Sequence, residues 1–416
     1  MLLLYSGGPV FGQQIPPGEP EALGMSSERL ARLDPAMQAL VDSGKAAGVA
    51  ILVLRDGYLV KSGSYGWSDR EAQQPMRMDT LFRIASQTKA LTSVAAMMLV
   101  EAGQLGLADP VRLWIPGFEN MTVATAAGLV PAQRAITIRD LLTHTAGLSY
   151  GTEALVREAY AAAGLGPAAG FGWYFADKDE PICASVDRLG SLPLVAQPGA
   201  RFVYGYSTDL LGCIVERVSG QSLDAFFRDR ILRPLGMNDS WFFAPASERS
   251  RLATVYADGP DGLRRAPGGA TGQGAYIDGP RASYSGGAGL VSTIGDYARF
   301  LQMMLNGGEL DGVRMLSADT VELMTSDHLG PVFGQAGLGF GLGFQILKDP
   351  AAAGRYGATG QYGWGGAYAT SYWVDPAERL IGLVMTQTLP SQRLDAALFN
   401  SLVYSAIAEP AAPRHH

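Results

Sequence analysis

The chain has 416 residues, of which 47% are apolar and 17% charged, with a net charge of −7. That balance excludes intrinsic disorder, and without a long basic run it argues against nucleic acid as a partner. The longest apolar stretch, residues 94–100, is far short of the ~20 residues that span a bilayer, so no integral membrane segment is expected. Four histidines (His144, His328, His415, His416) and two cysteines without C-x-x-C spacing nearly exclude a metal cluster. The spacing of Cys183 and Cys213 allows a disulfide without implying one.

In chain order, residues 1–24 read as an N-terminal arm or the remnant of a signal peptide. The first reading leaves a cytoplasmic protein and the second an exported one. Residues 26–43 place Leu30, Leu33, Met37, Leu40 and Val41 at helical spacing after a serine. The run Val49-Ala-Ile-Leu-Val-Leu, the turn Arg55-Asp-Gly57 and Tyr58-Leu-Val-Lys-Ser predict a hairpin. Residues 86–103 are apolar on nearly every face and predict a buried central helix. Further helices are expected over 136–143, 209–218, 223–232 and 296–305. Strands are expected over 367–374 and 380–386, and a last amphipathic helix over 394–407. Two Gly/Pro-rich stretches, 164–172 and 259–289, read as long loops.

Hairpins thus lie at both ends of the chain with helices between. The expected fold is α/β of the α+β type: an antiparallel sheet built from both termini, flanked by helices, with a mainly helical insertion. The implied division is 25–107 with 281–408 as a discontinuous α/β domain, 108–280 as the inserted domain with lid-like loops, and 409–416 as a disordered tail.

Ser86-Gln87-Thr88-Lys89 is the only Ser-x-x-Lys, in a chain with five lysines. Residues i and i+3 face one side of a helix, and a lysine on an otherwise apolar helix is costly unless it works or is paired. The same spacing fits a lysine that merely snorkels out of the core. Gly147-Leu148-Ser149-Tyr150-Gly151 matches Gly-x-Ser-x-Gly, but it follows a helix rather than a strand, so a helix C-cap and turn is the better reading. His144 reads as a polar residue at a helix end. The run from Gly337 to Gly343 lacks nucleotide-site spacing and reads as a Gly-rich strand or bend. The aromatic cluster from Phe171 to Phe175 fits either a pocket wall or packing under a lid.

Over residues 25–405 the sequence resembles the serine β-lactamase and penicillin-binding-protein superfamily, and within it the class C-related family VIII carboxylesterases. The resemblance is carried by Leu81-Phe-Arg-Ile-Ala-Ser86-x-x-Lys89, Asp140-Leu-Leu-Thr-His-Thr-Ala-Gly-Leu148, Pro234-Leu-Gly-Met237, Gly287-Ala-Gly-Leu-Val-Ser-Thr293 and Tyr362-Gly-Trp-Gly-Gly-Ala-Tyr368. It implies a β-lactamase-like fold and a small-molecule ester substrate, with no metal or organic cofactor. It implies Ser86 as nucleophile and Lys89 in proton transfer. Two tyrosines compete in Tyr204-Gly-Tyr206, and the residues alone do not separate them. The family pattern selects Tyr204 for proton transfer and puts Tyr206 where the lactamases carry a substrate-binding asparagine.

The resemblance also implies an oxyanion hole from the N–H groups of Ser86 and Ala367. Where β-lactamases have Lys-Thr-Gly, this chain has Trp364-Gly365-Gly366. Tryptophan offers an aromatic wall in place of a charge for a substrate carboxylate. That departure favours neutral esters over β-lactams. The expected protein is therefore a carboxylesterase acting on short-chain acyl esters. The rivals are a β-lactamase, a D-aminopeptidase-type hydrolase, an acyltransferase, or a non-catalytic acyl-binding sensor.

Overall fold

A computed structural model describes residues 15–166, 175, 177–269, 272–391, 394 and 396–410. Its centre is one antiparallel sheet. The strands are β1 (Gly48–Arg55), β2 (Tyr58–Asp69), β3 (Gln74–Pro75), β4 (Leu338–Phe340), β5 (Gln345–Leu347), β6 (Tyr362–Gly366), β7 (Thr370–Asp375) and β8 (Leu380–Met385). Their spatial order is β4-β5-β6-β7-β8-β1-β2-β3. The expected pairing of the two termini occurs at β1–β8, in the register Ala50↔Met385 to Arg55↔Leu380. Every residue of β1 and β8 is buried, because helices cover both faces of the sheet at this point.

The two faces have different partners. On one, Val49, Ile51, Val53 and Val384 pack with α1 (Ser27–Leu30), α2 (Leu33–Asp42) and the C-terminal helix through Met37, Leu40, Phe399 and Val403. On the other, Ala50, Leu52, Leu383 and Met385 join a large core with α3 (Thr88–Glu101), which continues without a break into residues 108–280. That inserted part contributes α4 (Ile138–Leu142), α5 (Ile182–Leu189) and α6 (Ser207–Ser219), and then α7 (Ile294–Leu305) returns to the sheet. The last helix is α8 (Ala396–Ser405). The start of α4 follows from chemistry: Thr137 and Asp140 form a reciprocal capping box.

Several expectations are corrected in detail. The helix expected over 26–43 is two helices, broken at residues 31–32. The helix expected from 86 starts as a 3-10 turn, Ala85–Gln87, and becomes α-helical at Thr88. Residues 367–369 are a turn between β6 and β7, so Ala367 is not on the strand expected there. The helix over 223–232 is α-helical only to Phe227 and then widens into a π turn, Arg228–Leu232. The loop expected from 259 begins inside a hairpin, Tyr256–Gly259 with Gly262–Arg265. Residues 1–14, 167–174 and 411–416 lie outside the described residues, and with them the aromatic cluster except Phe175.

Cys183 of α5 and Cys213 of α6 are joined in a disulfide with their Cα atoms 5.1 Å apart. The pair closes a loop with a sequence separation of 30, worth about 3–4 kcal/mol in the chain-entropy picture. Thiol titration of the unfolded, unreduced protein is expected to find no free thiol. Replacing both cysteines by serine is expected to lower Tm by several degrees. Two titratable thiols in the unreduced protein would contradict the pairing.

Candidate active site

The site lies where β6 leaves the sheet. β5 pairs with β6 only at Tyr362 and Gly363, so Trp364, Gly365 and Gly366 form a free edge next to β7. A cavity of about 680 Å³ opens along this edge and is lined by Ser86, Tyr150, Tyr204, Trp364, Gly366 and Ala367, among others. Gly366 has a steric reason to be glycine. A Cβ there would collide with the Ile84 carbonyl oxygen and the Thr370 hydroxyl. Without one, the end of β6 lies against the backbone just before Ser86. Gly365 lines the same cavity.

Ser86 sits in the 3-10 turn ahead of α3, one residue after Ala85, whose φ of 43° is unusual for a residue with a Cβ. Neighbouring bonds hold this turn: Ile84 N–H to Leu290 O (3.1 Å), the Tyr297 hydroxyl to Gln87 O (3.0 Å) and Leu290 N–H to Thr88 Oγ1 (3.1 Å). A backbone so fixed presents the Ser86 side chain at the cavity floor. Among the described residues, no hydrogen bond occupies the N–H of Ala367, as an oxyanion donor requires.

Lys89 is almost fully buried. Its ammonium donates to Gly287 O at 2.7 Å, to the Tyr150 hydroxyl at 3.1 Å and to Ser86 Oγ at 3.3 Å. It also stands 4.7 Å from the centre of the Tyr204 ring, a cation–π contact. The Tyr204 hydroxyl accepts from Trp364 Nε1 at 3.1 Å. Serine, lysine, both tyrosines and the tryptophan therefore form one contiguous group.

Two tyrosines flank the lysine, and only one of them was legible as a candidate. Tyr150 belongs to the Gly-x-Ser-x-Gly run, but its serine is not displayed for attack. Ser149 is buried, donates to the Glu153 carboxylate and accepts from Gly151 N–H at 2.8 Å, closing a turn. The turn instead points Tyr150 at Lys89. Burial pushes the Tyr150 phenol well above its ordinary pKa, and repulsion from Tyr204, Asp209 and Tyr206 adds to this. Gly205, between the other two tyrosines, would place a Cβ into the backbone of Leu148 and Ser149. Its missing side chain lets the two segments touch and brings Tyr150 beside Tyr204, with ring centres 5.8 Å apart.

Tyr206 does not line the cavity, contrary to the substrate-binding position expected for it. It stands at the start of α6 with its ring turned into the core. Its hydroxyl donates to Leu165 O at 2.9 Å, and its ring backs Tyr150 at 4.9 Å. It supports a wall of the site from behind. His144 is fully buried beside Tyr204, ring centres 4.8 Å apart. Burial, reinforced by the nearby Lys89 charge, holds its pKa well below the usual histidine range. The His328 ring bonds Leu323 O at 2.8 Å. No group of three or more metal-ligating side chains occurs among the described residues.

Comparison with known proteins identifies the family. The beta-lactamase family model matches residues 33–403. The chain is 34% identical over 386 residues to esterase EstB of Burkholderia gladioli, covering 89% of this chain and 93% of that one. It is 38% identical to protein Rv1367c of Mycobacterium tuberculosis, covering 87% and 90%. Among solved structures, EstCE1, described as a hydrolase with promiscuous acyltransferase activity, superposes with a TM-score of 0.80 at 28% identity, covering 92% and 99%. The chain belongs to the beta-lactamase family, as an esterase-like serine hydrolase of the family VIII kind with the β-lactamase and penicillin-binding-protein fold.

Proposed function

We propose that the protein is a carboxylesterase that cleaves neutral, short-chain acyl esters through an acyl-enzyme on Ser86. The observation that carries this reading is the contact of the Ser86 hydroxyl with a buried lysine, at 3.3 Å, in a cavity walled by Trp364. Ser86 Oγ attacks the ester carbonyl and its proton passes to the Lys89–tyrosine pair. The N–H groups of Ser86 and Ala367 hold the carbonyl oxygen as it becomes an oxyanion. The C–O bond to the alcohol breaks, and the departing alkoxide takes up the proton. Water repeats the sequence on the acyl-enzyme and releases the acid.

Both tyrosines have a part in the proposal. Tyr204 faces the cavity with its hydroxyl held by Trp364, which suits proton transfer to the leaving group. Tyr150 completes the bonding of the lysine. The absence of a cation at position 364 disfavours substrates whose carboxylate must be held there, as in β-lactams. Replacing water by an alcohol at the second step gives acyl transfer with the same residues, in keeping with the promiscuous acyltransferase activity described for EstCE1.

Ser86→Ala is expected to abolish hydrolysis of a p-nitrophenyl butyrate substrate, whereas Ser149→Ala, where it folds, retains it. The reverse result would sink the assignment. Tyr204→Phe is expected to lower kcat by about a hundredfold or more, the usual scale for losing a positioned proton donor. Tyr150→Phe is expected to lose less, and the opposite ranking would exchange the two roles. In a side-by-side assay, kcat/KM for nitrocefin is expected to fall far below that for the butyrate ester. Comparable values would overturn the preference for neutral esters.

A further inference from the structure

α6 carries one carboxylate directed into the protein. Asp209 is fully buried, and no arginine or lysine makes a direct ion pair with it among the described residues. Its Oδ1 accepts from the Ser285 hydroxyl at 2.5 Å and from the Gly287 N–H at 3.1 Å. Ser285 Oγ in turn accepts from the Ala288 N–H at 3.0 Å. The other oxygen, Oδ2, is buried with no hydrogen-bond partner. Gly287 is glycine because a Cβ would sit 2.5 Å from that same Oδ2.

The carboxylate thus lies against Gly287, and Gly287 is the residue whose carbonyl takes the shortest bond from Lys89. One residue offers its N–H to the anion and its C=O to the cation. An isolated buried carboxylate is unfavourable unless a cation offsets it. Burial raises the Asp209 pKa, and the Lys89 charge pulls it back.

We propose that Asp209 is a positioning residue and the buried charge partner of Lys89: it fixes Gly287 to receive the lysine, and its carboxylate offsets the charge that Lys89 brings into the core. The inference rests on Lys89 serving Ser86. Asp209 does not line the cavity and acts only through its neighbours. The titratable groups that face it are Lys89 from α3, Tyr150 from the turn after α4, and Tyr206 at the start of its own helix. The phenols of Tyr150 and Tyr206 are pushed up by burial. The pKa of His144 is held down by burial and by the Lys89 charge. The 285–288 segment brings only neutral groups.

Thermal unfolding of Lys89→Met and of Lys89→Met/Asp209→Asn tests the charge partnership without any assay of activity. The single variant leaves the carboxylate without its cation, so its Tm falls, and the added Asp209→Asn is expected to raise Tm again. A double variant less stable than Lys89→Met overturns the proposal. In the active enzyme, Asp209→Asn is expected to move the acidic limb of the kcat/KM profile to lower pH by about one unit, because removing a buried anion disfavours positive charge in the site. Ser285→Ala removes a bond to the carboxylate but no charge, and is expected to leave that limb in place. An unmoved limb in Asp209→Asn, or an equal displacement in both variants, overturns the proposal. Failure of the wild type to hydrolyse esters would defeat the esterase reading and leave the Tm comparison standing.

Discussion

A single ammonium group inside an apolar helix organises this molecule. Nearly every side chain of α3 up to Leu99 is buried, and Lys89 is buried with them. An unpaired charge in that position costs several kcal/mol. Three bonds from the amine, each worth about 1.5–3 kcal/mol when the donor is charged, are of the size needed to offset it. One partner, Ser86, is local, and two are distant in sequence: Tyr150 between α4 and α5, and Gly287 just before α7. Lys89 thus ties these three segments together beside the cavity.

The constraint extends outward through positions where a side chain would not fit. Gly366 lets the free edge of β6 rest on the backbone before Ser86, which brings the Ala367 N–H to the site. Gly205 lets the start of α6 touch the turn that carries Tyr150. Trp364 closes the ring by bonding Tyr204 and walling the cavity.

The legible parts of the sequence were those governed by local pattern. Alternation and turn residues marked the β1–β2 hairpin and the C-terminal strands, and the pairing of β1 with β8 followed from hairpins at both ends. Ser86 and Lys89 stood out by their spacing, which fits a snorkelling lysine equally well, and it was the family resemblance that implied their roles. Tyr150 was not readable, since it approaches Lys89 only through the contact that Gly205 permits, 55 residues away along the chain. Tyr206 misled for a related reason. Its position in the motif suggests the cavity, but the direction of its side chain is set by the core around Leu165 and Phe175. Asp209 lies in the first turn of α6, and only its burial against Gly287 distinguishes it from an ordinary first-turn carboxylate.

The central claim is that Ser86, activated by Lys89, is the residue that carries the acyl group. The most direct measurement is labelling with a fluorophosphonate followed by peptide mapping, in the wild type and in Lys89→Met. The account predicts a single adduct on the peptide containing Ser86, formed rapidly in the wild type and far more slowly without the lysine. An adduct on Ser149, or a Ser86 adduct formed at the same rate in both proteins, would contradict it.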